Sequence, residues 1–485
     1  MTLLGEDWLG RICSDGWRAG AGGAADVVEP ATGAVLGSVG VAGPEDVARA
    51  ARSAAVAQRG WSSAPFAARA AVLRRVGELC EAHADEIGDW IVRETGAVPG
   101  KGAFETHLIT TEAYESATLP SQPYGQLLRS EDPRFSFSQQ VPVGVVGVIA
   151  PYNFPVILAA RSVFPALALG NAVVLKPDPR TAVVGGILLA RLLAEAGLPD
   201  GLLHVLPGGA EVGEAIVTEP AVRVVSFTGS TAAGRRVGQL AAEHLKRVHL
   251  ELGGNSALIV LDDADLDRAV SAGAWGSFLH QGQICMTTGR HLVHESVYDE
   301  YVGTLAAHAD KLPVGDPSAG EVALGPMIDE RARDKVHGLV SASLSAGARL
   351  AAGGRYEGLF YRPTVLGDVT PSMPAYKEEV FGPVAPVVRF GSLDEAVRLA
   401  ADTPYGLSLG ILTRDVMKGL ALAERIPTGI VHINDQTVND EATVPFGGTG
   451  ASGTGARFGG PAANIAAFTE TRWVTVRGEI PHYPL

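Results

Sequence analysis

Cysteine is scarce in this chain: three in 485 residues, Cys13, Cys80 and Cys285, with no C-x-x-C pair. So odd and scattered a set argues against a disulfide framework and against a cysteine-rich metal site, and it suits a reducing compartment. Positive charge is also short. Thirty-nine Lys and Arg against 53 Asp and Glu leave a formal charge of -14, which argues against a broad phosphate-binding surface and hence against nucleic acid as a partner. The amino-terminal MTLLGEDWLG places two acids and no basic residue before a short apolar patch, the wrong order for a secretory signal, so a cytoplasmic protein is expected. Unbroken apolar runs are missing too. Residues 141–160 carry no charge and match a spanning helix in length, but Pro142, Pro151 and Pro155 with Gly144, Gly147 and Asn153 would break that helix in lipid, so no membrane association is expected.

What is present is a globular composition, 46% hydrophobic and 19% charged. A chain this long exceeds one hydrophobic core, and about two to four domains are expected. Gly43-Pro44-Glu45-Asp46 supplies a proline and two acids for a first helical turn, and helices are predicted over 45–60 and 67–95. In EDPRFSFSQQVPVGVVGVIAP, alternation gives way to a β-branched run, predicting an exposed strand or hairpin that leads into a buried strand. A rhythm follows: AVVLK before a helix over 181–196, then GLLHVLPG, VRVVSFTGS and SALIVLDDAD, each before a helix. Such alternation is the signature of an α/β fold with a parallel sheet covered on both faces. A mixed second region is expected after Gly253, and the glycine-rich PFGGTGASGTGARFGG reads as an ordered loop.

Sheets of this type bind nucleotides at the carboxyl ends of their strands. SFTGSTAAG, residues 226–234, stands where a buried strand ends and a helix begins, so Gly229 and Ser230 could meet a phosphate there, although the G-x-G-x-x-G spacing is absent. Cys285, in HQGQICMTTGR, reads by itself as a small buried hydrophobe before it reads as a nucleophile. No metal is expected, because neither His280 nor His291 stands at a ligand spacing from it.

Four further segments change the reading when taken in order: APYNFP at 150–155, LELGG at 250–254, GQIC at 282–285 and EEVFGPV at 378–384, with LKP and FTGS between the first two. This ordered set resembles the NAD(P)-dependent aldehyde dehydrogenase superfamily through nearly the whole chain. The resemblance implies a Rossmann-type parallel-sheet cofactor domain over 1–119 and 141–252, an α/β catalytic domain over 253–452, and oligomerisation strands over 120–140 and 466–485 that make a homodimer or homotetramer. It implies that Cys285 attacks the aldehyde, that Asn153 and the Cys285 backbone N–H hold the resulting alkoxide, and that Glu251 is the general base. For the cofactor it implies Lys176 on a ribose, Gly229 and Ser230 beside the nicotinamide and diphosphate, and Glu379 on the nicotinamide ribose with Phe381 nearby. Ile149, Tyr152 and Phe227 would line that cleft, together with Gly209, Gly213, Gly234 and Leu252.

One departure lies after Lys176. Many members of the superfamily read Lys-Pro-x-Glu, the glutamate holding the adenosine ribose; here Pro179 stands in that place, with Asp178 as a substitute only if it bends back. NAD is the first expectation, with NADP also open. HINDQTVNDEATVPFGG and LKPDPRTAVVGG resemble the benzaldehyde and vanillin dehydrogenase branch, which implies an aromatic aldehyde as substrate. Phe154, Ile157, Leu158, Ile284 and Phe446 would then line the substrate pocket. Arg161 either meets a polar ring substituent or pairs with an acid in the wall. A coenzyme A-acylating enzyme, an aliphatic or semialdehyde substrate, and a non-catalytic protein of the same fold are the alternatives. Glu251 favours hydrolysis over thiol transfer.

Overall fold

The β-branched runs form the middles of two seven-stranded sheets in the computed structural model, which describes residues 2–484. In the first sheet the order is Arg247–Glu251, Val222–Thr228, Val145–Ile149, Ala172–Lys176, Leu203–Val205, Ile12–Cys13, Trp17–Arg18. Its first five strands are parallel. Val145–Ile149 and Ala172–Lys176 are buried at every position, as strands covered on both faces must be. The second sheet runs Arg349–Ala352, Thr364–Gly367, Val384–Phe390, Thr288–His294, Ser256–Val260, Ser408–Leu412, Ile430–Ile433, and is parallel except at Arg349–Ala352. SALIVLDDAD therefore opens the second sheet rather than continuing the first. In its place beside Val222–Thr228 lies Arg247–Glu251, a strand whose polar first half hides it from a search for apolar runs.

A third, antiparallel sheet joins Thr469–Val476 to Phe135–Pro142 and Gly125–Leu127. The expected hairpin before the buried strand is thus present, with the carboxyl-terminal strand paired along its full length. No helix among the described residues is long and apolar enough to cross a membrane; the uncharged stretch 141–160 is divided between two strands and the start of the helix Pro155–Ala168.

Two helices differ from expectation. The stretch 67–95 is broken at His83, which leaves helical backbone at φ -118°, giving Phe66–Ala82 and Ala84–Thr95. Asp85 and Glu86 supply the acids of a new first turn. The helix after AVVLK begins as a 3-10 turn, Pro179–Thr181, passes through a π-helical turn, Val183–Ile187, and becomes α-helical only over Leu188–Glu195. Its unpaired amides are met by Glu94, whose buried carboxylate accepts from the N–H groups of Val183 at 2.9 Å and Val184 at 2.7 Å. Removing that acceptor leaves two buried donors without partners, so Glu94→Ala is expected to cost about 2–6 kcal/mol, read as a lowered urea or thermal unfolding midpoint at neutral pH.

Candidate active site

The helix Pro155–Ala168 is buried on every side. Pro155 fits its first position, where no N–H is needed, and the N–H groups of Val156 and Ile157 donate to Glu105 at 2.8 and 3.2 Å. Glu105 in turn is paired with Lys101, whose ammonium stands 4.3 Å from the centre of the Phe154 ring. This anchoring fixes the turn between strand Val145–Ile149 and the helix, and with it Asn153. The Asn153 amide donates to the Gln283 carbonyl at 2.8 Å, tying APYNFP to the segment that carries Cys285 and leaving a second amide hydrogen.

Cys285 follows an unusual turn. His280, Gln281 and Gly282 have φ values of 48, 56 and 64°, three left-handed residues in a row. The turn is held because the Gln281 side chain donates to the carbonyls of Gly96 and Pro326, at 3.0 and 2.7 Å. At Gly282 a Cβ would lie 2.1 Å from the Gly382 carbonyl oxygen, so GQIC meets EEVFGPV backbone to backbone. The two glycines of LELGG make comparable openings. A Cβ at Gly254 would lie 2.5 Å from the Cys285 carbonyl oxygen, and one at Gly253 would run into the Glu379 carboxylate. The Gly254 N–H donates to that carboxylate at 2.9 Å. Four segments far apart in the chain are thereby brought into one cluster.

Glu251 ends the edge strand of the first sheet, and both of its carboxylate oxygens are buried without a partner. Burial, opposed by the Arg161 and Arg457 charges, pushes its carboxyl up to about 8. Burial, reinforced by Glu379 and Glu251, pushes the Cys285 thiol up to about 12. The pair rests as acid and thiol at neutral pH. Cys13 and Cys80 are raised to about 11 and 12 by burial as well, so a raised thiol does not single out Cys285; its setting does.

Cys285 and Asn153 border a cavity of about 640 Å³. Phe154, Ile157, Leu158, Ile284 and Phe446, the residues expected along a substrate pocket, line it. Arg161 does not: it is buried behind the wall and paired with Asp440, which does border the cavity. Of the two roles open to it, the ion pair is the one formed. Phe104, Trp275 and Phe278 add three more aromatic walls that no motif announced, since they come from helices, Pro99–Ser116 and Leu266–Phe278, that read only as packing elements.

The expected cofactor residues gather at the carboxyl ends of the first sheet. Gly213 approaches Ile149 and the Lys176 stem, each at 3.7 Å from where its Cβ would be. The Lys176 ammonium is buried with only the Pro177 carbonyl beside it, at 3.3 Å. Gly209 caps the helix Ala210–Thr218, and Ser230 caps Thr231–Glu243 by accepting from the Ala233 N–H at 3.3 Å. Gly229 abuts the Phe227 ring, and Gly234 leaves room for Leu252. Phe381 meets Tyr152 edge to face at 6.2 Å. Helix amino termini, a buried ammonium and a side-chain-free helix face fit a dinucleotide with its phosphates. Asp178 departs from expectation. It does not bend back toward a ribose; both its oxygens bind Arg180, at 2.8 Å each, and Arg180 stacks 4.1 Å above the Tyr152 ring and reaches Asp329. A guanidinium one residue beyond Pro179 outcompetes a neutral hydroxyl for that carboxylate.

The aldehyde dehydrogenase family model matches residues 17–474. The chain belongs to the aldehyde dehydrogenase family. Aldehyde dehydrogenases among its relatives include a vanillin dehydrogenase of Amycolatopsis sp., 66% identical with 99% of each chain covered, and a benzaldehyde dehydrogenase [NAD(+)] of Pseudomonas putida, 51% identical with 98% of each covered. Solved aldehyde dehydrogenases of the same fold include a salicylaldehyde dehydrogenase from Pseudomonas putida G7 complexed with salicylaldehyde, at TM-score 0.94 and 35% identity over 98% of this chain and 99% of that one. A betaine aldehyde dehydrogenase from Staphylococcus aureus in complex with NAD+ superposes at TM-score 0.93 and 30% identity, covering 96% and 94%. The protein is thus an NAD(P)-dependent oxidoreductase acting on an aldehyde group.

The close approach at Gly282 gives this aldehyde dehydrogenase a steric test. Gly282→Ala adds left-handed strain of about 1–3 kcal/mol to a collision with the Gly382 carbonyl. The variant is expected to unfold at a lower temperature and to lose most aldehyde-dependent cofactor reduction, while Gly303→Ala, in open space on a helix, lowers neither.

Proposed function

We propose that the protein oxidises aromatic aldehydes of the benzaldehyde and vanillin type to carboxylic acids, with NAD as the preferred acceptor, through a covalent adduct on Cys285. The observation that carries this reading is the meeting of Cys285 and Asn153 at the wall of one apolar cavity whose other walls include Phe104, Phe154, Trp275, Phe278 and Phe446. A flat ring gains from each apolar surface it covers at roughly 25 cal/mol per Å². The vanillin and benzaldehyde dehydrogenases among its relatives support the same substrate class. For the cofactor, Asp178 and Arg180 act on Lys176 with opposite charge, and Glu211 adds a negative charge that favours a ribose hydroxyl over a 2'-phosphate there.

The chemistry follows from these groups. An aldehyde carbon holds its hydrogen firmly, because losing hydride directly would leave an acylium ion. Glu251 takes the thiol proton, the Cys285 sulfur bonds to the carbonyl carbon, and the C=O π pair becomes an alkoxide. That oxygen is held by the free amide hydrogen of Asn153 and the Cys285 N–H. Bound NAD(P)+ supplies the acceptor for the hydride that the tetrahedral carbon then expels. Glu251 passes the thiol proton to solvent and then takes one from a water, whose hydroxide adds to the thioester carbonyl; the C–S bond breaks, the acid leaves, and Glu251 returns that second proton to the sulfur. Lys176, Gly229, Ser230 and Glu379 hold the dinucleotide in this reading.

The same reading assigns residues 1–119 and 141–252 to cofactor binding, 253–452 to catalysis, and 120–140 with 466–485 to pairing as a cytoplasmic homodimer or homotetramer. Exposed Leu127, Phe135, Trp473 and Val476 on the third sheet support such pairing.

An aldehyde panel with NAD and NADP tests the assignment. Benzaldehyde and vanillin are expected to exceed hexanal in kcat/KM, NAD to exceed NADP, and Cys285→Ala to reduce no cofactor at all; a large preference for hexanal refutes the aromatic substrate. The raised Glu251 carboxyl sets the pH dependence. Below about 8 it is protonated and cannot accept a proton, so kcat is expected to climb between pH 6 and 9. Glu251→Gln is expected to lower kcat by about 10²–10⁴ and to abolish that climb.

A further inference from the structure

Five polar atoms around the proposed general base are buried without hydrogen-bond partners: Nε and Nη1 of Arg161, Oε1 and Oε2 of Glu251, and Oδ1 of Asp440. Unpaired buried donors and acceptors are costly, and here two donors and three acceptors lie in one neighbourhood. Arg161 commits only Nη2, to Asp440 Oδ2, and the Phe446 ring covers its guanidinium at 4.7 Å. The remaining N–H groups belong to a side chain held rigidly by a helix that is buried on every side.

We propose that Arg161 is the positioning partner of Glu251: the ionised carboxylate docks on the free N–H groups of Arg161 between turnovers, and swings from them to the water that attacks the Cys285 thioester. This rests on the functional reading above. The charged groups acting on Glu251 are Arg161, the strongest, then Arg457 and Asp440; those acting on Arg161 are Asp440, Glu112 and Glu251. Glu112 is the rival for the free donors, but it already accepts from the Ser116 hydroxyl at 3.2 Å. Neither Glu251 oxygen makes a hydrogen bond of ordinary geometry among the described residues, and the Gly448 N–H is the one backbone donor that also favours its ionised form. A fixed guanidinium lets the base ionise inside an apolar setting without a permanent salt bridge, which would hold it away from water.

The test compares single-turnover cofactor reduction with steady-state turnover of benzaldehyde, across pH, in Arg161→Met, Arg161→Lys and the double variant Arg161→Met/Asp440→Leu, which also removes the orphaned acid. Hydrolysis of the thioester depends on ionised Glu251, so steady-state turnover at pH 7.5 is expected to fall roughly tenfold to a hundredfold. The first turnover, in which Glu251 must be ionised to take the thiol proton but need not be aimed at water, falls less, by about tenfold at most, and the alkaline climb of kcat moves up by about one pH unit, with partial return in Arg161→Lys. Equal loss of both rates with an unmoved pH midpoint overturns the proposal. Where the variants do not fold, crystals of the unaltered enzyme at pH 9 decide: Glu251 within hydrogen-bond distance of Arg161 Nε or Nη1 is expected, and Glu112 on those donors, or Glu251 facing only Cys285, overturns it. Failure of the unaltered enzyme to oxidise benzaldehyde removes the functional reading itself, and this proposal with it.

Discussion

The site depends on main chain meeting main chain around Cys285. The proposed nucleophile, base and alkoxide donor, residues 285, 251 and 153, can cooperate only if their backbones approach more closely than side chains allow. Gly254 faces the Cys285 carbonyl, Gly282 faces the Gly382 carbonyl, and Gly253 admits the Glu379 carboxylate. Each contact would be filled by a single methyl group. The strained turn through His280 and Gln281 is the cost of that approach, and the two hydrogen bonds from Gln281 to Gly96 and Pro326 hold it in place. Both sheets are needed for this geometry, because Glu251 ends a strand of the first while the strand Ser256–Val260, a few residues on, begins in the middle of the second.

Crowding sets the electrostatics. Excluding water raises the thiol and the base together, so the resting pair is uncharged and must lose one proton to become reactive. A neutral resting thiol is shielded from adventitious oxidation, since the thiolate is the reactive species. The same burial makes Arg161 consequential: it is one guanidinium amid Asp440, Glu112 and Glu251, and no second cation touches that cluster as closely.

The ordered motifs made the proposed catalytic set legible because each encodes a steric or chemical need that tolerates few residue types: a glycine where a carbonyl passes, an amide suited to an oxyanion, a thiol at the end of the turn. The alternation of β-branched runs likewise made the parallel sheet legible. Less was readable where the cause is tertiary. Arg247–Glu251 carries polar residues in its first half because it is an edge strand, and the helix expected over 67–95 divides where His83 leaves helical backbone. Phe104 and Trp275 are exposed aromatics on ordinary helices; only the packing of those helices turns them toward Cys285. The orientation of Asp178 was open for a similar reason. Its partner Arg180 is two residues away, but the orientation of both depends on Tyr152 and Asp329.

That last arrangement bears on how the cleft reads its dinucleotide. Where a glutamate would hold the adenosine ribose, the chain has a proline, and the nearest carboxylate is neutralised by Arg180. Selection against a 2'-phosphate therefore cannot come from one residue placed to repel it. It falls to the broader field around Lys176, in which Glu211 is the acid without a guanidinium of its own among the groups acting there. A long-range field discriminates less sharply than a direct clash, because screening weakens it with distance and salt. The preference for NAD is accordingly a matter of degree set by charge balance, whereas the choice of aldehyde is set by contact with fixed apolar walls.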